Sequence, residues 1–225
     1  MFDANRTVAD IVTANPECAR VLLELRIDFC LAGDRTLEAA CAERGIPVDV
    51  VLTSMKRAIA ARRGPPAIDT RTLSTAELIS YIVSRHHAYL FAALPFVDDL
   101  ASRALHESRT SASRDPRLES LCTGVHDLVR TLRAHLHDEE AVLFPALRKK
   151  AGDRSAIGTE LAAMNEDHRA VATTLENLRR LAGACAEAFP TSSTLRRLVL
   201  ELADIEADTM RHIHVETYVL MRRAA

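Results

Sequence analysis

The chain has 225 residues, enough for one large domain or for a medium domain and a small one, and neither needs disulfide bonds to bury a core. Apolar residues make up 48% and aromatic residues 4%, with seven glycines and no tryptophan, a composition that favours helices over strands. The formal net charge is -2 and the basic residues are interleaved with acidic ones, which argues against an electrostatic surface for nucleic acid or for a membrane.

The cysteines and the first residues indicate the compartment. Five cysteines, an odd number without a C-x-x-C pair, argue against a secreted disulfide framework and predict a reducing environment. The opening segment MFDANRTVADIV does not resemble a secretion signal, and no apolar run reaches the roughly 18 residues of a membrane span. We therefore expect a cytoplasmic, all-α protein without a nucleic acid or membrane partner.

A small helical N-terminal domain is predicted over residues 1–62. Its short helices are predicted over residues 7–13, 16–26, 36–44 and 48–61. Glycine and proline interrupt the helical pattern in the segments IDFCLAGD and GIPVD. The segment RGPPAIDTRT, residues 63–72, contains a glycine and two prolines and is predicted to be an exposed linker.

Residues 73–225 are predicted to form an up-down-up-down four-helix bundle, because long helical patterns alternate there with short polar loops. The first long helix begins at a capping box formed by Ser74 and Glu77. It contains Pro95, which is expected to kink it.

The other three long helices have similar boundary signals. The second begins at Asp115, directly before a proline, and ends at Gly152. The third covers about 156–181 and ends before Gly183. The fourth covers 194–223 and follows the capping segment PTSS.

All nine histidines lie in the predicted bundle. Residues three, four and seven apart share a helix face, and this spacing puts one histidine of each long helix on an apolar stripe. These histidines are His87, His135, His168 and His212. Glu139 and Glu216 follow two of them by four residues on the same stripe, and Val142 also falls on the stripe of His135. A bundle turns all four stripes toward one axis, where unpartnered carboxylates and imidazoles would be costly.

A pair of metal ions would remove that cost. Four imidazoles and two bridging carboxylates form a nitrogen and oxygen set that suits iron, manganese or zinc better than calcium or copper(I). A single histidine on an apolar face is usually an ordinary residue, so the metal hypothesis depends on the repeated pattern. The residue three before each histidine is not acidic, which argues against the Glu-x-x-His sites of ferritin-like proteins. A bundle with zinc, or with no metal, stays the alternative.

Acidic residues beside the stripes are candidates to orient the imidazoles. Asp208 lies one turn before His212, and Asp167 directly precedes His168, so each could accept a hydrogen bond from a ring nitrogen. For Asp167 and Glu140, an ordinary surface ion pair is an equal alternative.

The remaining histidines and the cysteines have other assignments. His86 could replace its neighbour His87 as a ligand if the helix rotates, and His106 could line an entry path. Three histidines are predicted to be solvated: His126, His137 and His214. The cysteines, Cys30 included, are predicted to be small buried hydrophobic residues.

The segments HHAYLFAALP, HLHDEEAVLFPAL, MNEDH and HIHVE, in this order and spacing, resemble the hemerythrin-like domain of the iron-sulfur cluster repair di-iron proteins. The segments TVADIV and LRIDFCLAGDRTLEAAC resemble the small N-terminal domain of the same family, so the resemblance covers almost the whole chain. It implies a hemerythrin-like bundle and a non-haem di-iron centre with an oxo or hydroxo bridge. The implied ligands are His87, His135, His168 and His212, with Glu139 and Glu216 as bridging carboxylates.

The resemblance also implies a role in the response to nitrosative and oxidative stress. The protein would bind or reduce nitric oxide, or supply iron for the repair of damaged iron-sulfur clusters. The implied partners are nitric oxide or oxygen and damaged iron-sulfur proteins, with a homodimer left open. Whether the chain is an enzyme also stays open, because a nitric oxide reductase-type activity and a non-enzymatic carrier, sink or sensor of nitric oxide or oxygen both fit.

One position departs from the family pattern. Family members typically have two adjacent cysteines followed by glycines in the N-terminal domain, whereas here Cys30 is followed by Leu31. A single thiol is poorer than a pair at passing iron or electrons. This departure weakens the cluster-repair hypothesis and leaves the nitric oxide hypothesis intact.

Overall fold

The computed structural model describes residues 3–62, 67–110, 115–148 and 154–223. These residues are predominantly helical, and the one β-type pairing described among them is an isolated antiparallel bridge between Thr7 and Thr36. The predicted all-α class is confirmed. None of the described helices combines the length and apolar character needed to cross a bilayer. Part of the predicted linker, 63–66, and the predicted stop at Gly152 lie outside the described residues.

The described helices follow one another as α1 (Val8–Ala14), α2 (Cys18–Glu24), α3 (Leu37–Glu43), α4 (Val48–Ala60), α5 (Thr75–Ile82), α6 (Ala88–Thr110), α7 (Pro116–Asp138), α8 (Phe144–Arg148), α9 (Arg154–Ala188) and α10 (Ser193–Val215). Single π-helical turns adjoin them at π1 (Val83–His87), π2 (Glu139–Leu143) and π3 (Glu216–Leu220). Short 3-10 turns cover Thr70–Thr72 and Met221–Arg223.

One packing unit comprises Met1–Ile79 and Met210–Ala225. The four short helices predicted near the start of the chain are present, with ends within two residues of the predicted ones. Thr7 and Thr36 cap α1 and α3, because each hydroxyl accepts a hydrogen bond from a backbone amide of the first turn. Large side chains that are fully buried form the core of this unit: Ile11, Leu22, Phe29, Leu37 and Met55.

The second packing unit, Ser80–Thr209, is a four-helix bundle of α6, α7, α9 and most of α10. α6 packs against α7, and α7 packs against α9. The Thr194 hydroxyl at the start of α10 donates a hydrogen bond to Glu107 near the end of α6, so these two helices run in opposite directions. The order agrees with the predicted up-down-up-down topology.

The predicted caps of the long helices are present. The backbone N–H of Ser74 donates to Glu77 Oε2 at 2.8 Å, and that of Glu77 donates to Ser74 Oγ at 3.3 Å. Asp115 caps α7 by accepting the backbone N–H of Arg117 at 2.8 Å. Pro95 lies inside α6, which continues on both sides of it.

The predicted end of the third long helix is wrong, because α9 runs through Gly183 to Ala188. A glycine inside a helix costs about 1 kcal/mol relative to alanine. Its neighbours Ala182 and Cys185 are buried on the inner face of α9. Burial of such apolar side chains contributes more than the glycine costs, so the helix continues.

Candidate metal centre

Three of the long helices widen into a π-helical turn at a candidate ligand. π1 ends at His87, π2 begins at Glu139, and π3 begins at Glu216. After each turn a backbone N–H donates to the carbonyl five residues earlier, as from Ala88 to Val83. Single π turns within α-helices are rare and often lie at functional sites. A uniform period of 3.6 residues, on which the predicted helix faces depend, does not predict these turns.

The π2 turn changes which residues face inward after Glu139. Val142, predicted to lie on the inner stripe, is 51% exposed, whereas its neighbour Leu143 is 2% exposed. The prediction for Val142 is therefore wrong. The wider turn holds one residue more than an α-helical turn, so the inward positions beyond Glu139 move along the chain.

Glu139 is the centre of a buried cluster in the bundle. Its Oε2 lies 3.2 Å from Nε2 of His87. Its Oε1 lies 3.0 Å from Nε2 of His135 and 3.9 Å from Nε2 of His168. All four side chains are buried. The two carboxylate oxygens thus face different imidazoles.

The spacing of these atoms fits metal coordination. Donors that bind one ion at about 2.1 Å and at right angles lie about 3 Å apart. The distances from Glu139 to His87 and to His135 are close to that value. Imidazole nitrogens combined with carboxylate oxygens form the donor set that suits iron, manganese or zinc.

Glu140 orients the His87 ring. Its Oε1 accepts a hydrogen bond from Nδ1–H of His87 at 2.7 Å, which leaves the lone pair of Nε2 pointing toward Glu139. Two acceptors that face each other at 3.2 Å need a cation between them, either a proton or a metal ion. The sequence position of Glu140 does not show that it reaches His87, so the sequence alone leaves this role and a surface ion pair as equal alternatives.

His212 and Glu216 form the second candidate pair with four-residue spacing, and Nε2 of His212 lies 3.1 Å from Oε1 of Glu216. Two groups of four buried side chains each have ligand atoms within 4.8 Å of one another. The groups are His87, Glu139, His212 and Glu216, and His135, Glu139, His168 and Glu216. Both glutamates belong to both groups, and together the groups contain the six predicted ligands.

Asp208 and Asp167 differ in what they contact. Oδ2 of Asp208 lies 3.0 Å from Nδ1 of His86, and both side chains are buried. His86 therefore lies beside Asp208 and outside the two groups of candidate ligands. Oδ2 of Asp167 lies 3.9 Å from Nδ1 of His135, too far for a hydrogen bond, and its side chain is 65% exposed.

His106 is placed apart from the candidate ligands. It is exposed on α6, about five helical turns beyond His87, which corresponds to roughly 28 Å along the helix. The structure therefore offers no support for an entry path at this residue.

Cys30 is fully buried, as predicted for a small hydrophobic residue. Its thiol donates a hydrogen bond to the carbonyl of Met210 at 2.7 Å. Burial raises the pKa of Cys30 well above its ordinary value, and the Asp28 carboxylate adds to the effect. The thiol is therefore protonated, a poor state for a nucleophile or a metal ligand.

The predicted solvation of three histidines is correct for one of them. His137 is exposed, and His126 is partly exposed. His214 is 2% exposed, so its predicted solvation is wrong. Its Nδ1–H donates to the carbonyl of Phe29 at 3.0 Å, and its Nε2 lies 2.9 Å from the hydroxyl of Thr13. Burial lowers the pKa of His214 to about 4.

Comparisons with known proteins match both parts of the chain. Residues 78–224 match the hemerythrin HHE cation binding domain, and residues 4–59 match a domain of unknown function, DUF542. The iron-sulfur cluster repair protein YtfE of Pectobacterium atrosepticum is 24% identical over 220 residues, and that of Yersinia pseudotuberculosis serotype IB is 24% identical over 222 residues. Each alignment covers 98% of this chain and 96% of the relative.

Proposed function

The chain belongs to the hemerythrin HHE cation-binding family, and on that premise we propose that it is a non-haem di-iron protein of the nitrosative and oxidative stress response. The proposed site binds nitric oxide, and the process that it serves is the iron-sulfur cluster repair for which its relatives are named. The observation that carries the proposal is Glu139, whose two oxygens lie within about 3 Å of different buried imidazoles.

Six side chains would hold two iron ions in this proposal, with two histidines for each ion and two glutamates that would contribute to both. The ligands are His87 and His212 for one ion, His135 and His168 for the other, and Glu139 and Glu216 for both. The presence of both glutamates in both groups of candidate ligands supports this division. Two iron ions held there would supply the electrons and the ligand-binding capacity that nitric oxide chemistry requires.

Two residues of the chain, Glu140 and Phe144, hold and shield the His87 ring. Glu140 holds His87 through Nδ1, which fixes the ring orientation and raises the basicity of Nε2. Phe144 is 2% exposed and stacks on the His87 ring with centroids 5.5 Å apart, so it keeps water from that face. A buried site lined in this way favours a small neutral molecule over a charged one.

The environment of Cys30 favours nitric oxide binding over iron delivery through a thiol. Delivery of iron by a cysteine requires a thiolate that can reach the metal. The Cys30 thiol is buried, its pKa is raised, and its proton is donated to the carbonyl of Met210. The residue that follows is Leu31, so no second thiol adjoins it.

Iron analysis and Mössbauer spectroscopy of the anaerobically reconstituted protein test the proposal. We expect about two iron ions per chain in a coupled pair, and consumption of nitric oxide by the reduced protein. His135→Ala and Glu139→Ala are expected to lose iron and nitric oxide consumption together. His137→Ala is the matched control, because this histidine lies on the same helix and is exposed.

The gas product separates two forms of the function. Release of nitrous oxide indicates reductase-type turnover, whereas a stable nitrosyl without nitrous oxide indicates a carrier, sink or sensor. A protein that takes up no iron, or consumption of nitric oxide that is unchanged in His135→Ala and Glu139→Ala, would contradict the proposal.

A further inference from the structure

The end of α10, the π3 turn and the following 3-10 turn carry two series of polar residues with different neighbours. His212 and Glu216, four residues apart, are candidate ligands. A second series with the same spacing contacts residues 13–34 of the same packing unit. We call it the anchor series, and its members are His214, Tyr218 and Arg222.

His214 begins the anchor series, and each of its two ring nitrogens takes part in a hydrogen bond. Nδ1–H donates to the Phe29 carbonyl at 3.0 Å, and Nε2 lies 2.9 Å from the Thr13 hydroxyl. The ring also packs against those of Phe29 and Tyr218, with centroids 5.7 Å and 5.2 Å away. These contacts join His214 to two separate points of the N-terminal segment.

Tyr218 continues the anchor series at a place where the backbone approaches closely. Its hydroxyl accepts the backbone N–H of Gly33 at 2.7 Å. A Cβ at Gly33 would lie 2.6 Å from the Phe29 carbonyl oxygen and 3.0 Å from the Tyr218 hydroxyl, so only glycine fits there. The guanidinium of Arg222 lies 4.7 Å over the Tyr218 ring and forms an ion pair with Asp34.

We propose that the anchor series positions the metal ligand Glu216 by holding π3 in its widened form against the backbone of residues 29–34. A π turn is rare within a helix, so contacts outside the helix are needed to keep it from relaxing to an α-helical turn. His214 lies two residues before Glu216, and Tyr218 lies two residues after it in the middle of π3, so their contacts fix the backbone on both sides of Glu216. The members are positioning residues that act through Glu216.

The inference rests on the proposed function, because the orientation of the Glu216 carboxylate matters only when the site binds iron. Removal of an outer partner of a metal ligand typically costs 10- to 100-fold in metal affinity. We therefore expect loss of one anchor contact to make the iron less tightly held while the fold persists. It should also change the spectrum of the iron pair.

Tyr218→Phe and Thr13→Val each remove one hydroxyl from the anchor contacts and preserve the size of the side chain. The measured quantities are the rate of iron release from the reconstituted protein to a ferrous chelator and the Mössbauer spectrum. We expect about tenfold faster release and a changed spectrum in both variants. Leu121→Val in the bundle is the control, since Leu121 is fully buried in α7 and lies far from the anchor series along the chain.

The control is expected to lower the unfolding temperature and to leave the release rate and the spectrum unchanged. Release rates and spectra in Tyr218→Phe and Thr13→Val that match the control would overturn the inference and leave the proposed function standing. A wild-type protein that holds no iron would overturn the proposed function, and this inference with it. The two failures are therefore distinguishable in one set of measurements, and Thr13→Val supplies the test alone if Tyr218→Phe does not fold.

Discussion

Two neighbouring helices of the bundle present their candidate ligands differently. α7 brings in His135 and then widens into π2 at Glu139, whereas α9 is a regular helix of 35 residues that contributes His168 alone. Adjacent residues of a regular helix point about 100° apart, so only one of them can face a site. At π2 two adjacent residues, Glu139 and Glu140, both reach His87. The widened turn is thus found where two neighbouring side chains contact the same histidine.

Deletion of Val142 is the strongest way to test this comparison. π2 holds one residue more than an α-helical turn, and Val142 is half-exposed, so its removal allows a regular helix without loss of core contacts. The residues before and after the turn then keep their inward and outward faces, but the Glu139 side chain points in a different direction. We expect the protein to fold and its iron affinity to fall by about 100-fold, measured by metal titration monitored by absorbance.

Val142→Ala is the control for the deletion, because it removes most of the same side chain and keeps the length of the turn. It is expected to bind iron as the wild type does. A deletion variant that binds iron with unchanged affinity would show that the π turn is unnecessary for the site.

The regular features of the long helices were predictable because they depend on local chemistry. The caps at Ser74 and Asp115 follow from side chains that reach backbone amides three residues or fewer away. The inward faces of His135 and His168 follow from helical periodicity before any π turn intervenes. These positions require no knowledge of the partner helices.

The remaining features depend on contacts between segments distant in sequence. The π turns change the helical period, and the exposure of Val142 is a consequence of that change. The burial of His214 depends on Phe29 and Thr13, which lie near the other end of the chain. The role of Glu140 depends on α6 lying beside α7. A single-sequence pattern contains none of these distances.

Carboxylates beside the candidate histidines provide a second and smaller comparison of the α7 and α9 segments. Glu140 accepts a hydrogen bond from Nδ1 of His87 at 2.7 Å, whereas Asp167 on α9 lies 3.9 Å from Nδ1 of His135 and is mostly exposed. We expect Glu140→Ala to lower iron affinity about tenfold, because His87 loses the acceptor that orients it. Glu140→Gln, whose amide oxygen can still accept, should recover part of the affinity.

Asp167→Ala is the matched test on α9 and is expected to leave the iron affinity nearly unchanged, since an exposed pair at that distance contributes little. Metal titrations of the three variants under one set of conditions provide the measurement. Equal losses in Glu140→Ala and Asp167→Ala would contradict the distinction drawn between the two carboxylates.

Substitution of a glycine by alanine in each of the two helices is expected to have the smallest effect, and to change only the free energy of unfolding. A Cβ at Gly183 of α9 meets no atom within 4 Å, whereas a Cβ at Gly124 of α7 would lie 2.7 Å from Cδ2 of Leu178, a buried residue of α9. Gly183→Ala is expected to raise the free energy of unfolding by up to about 1 kcal/mol, because alanine loses less backbone entropy and no neighbour has to move.

Gly124→Ala offers the same intrinsic gain in helix propensity, but it forces the tightly packed Leu178 to shift. Overpacking of this kind costs about 1–3 kcal/mol, so we expect a net loss of stability of up to about 2 kcal/mol. Urea unfolding followed by circular dichroism measures both variants. Since the substitution is identical in the two helices, opposite signs assign the difference to the α7–α9 interface, and a loss at Gly183 would mean that α9 does not run through this residue as a regular helix.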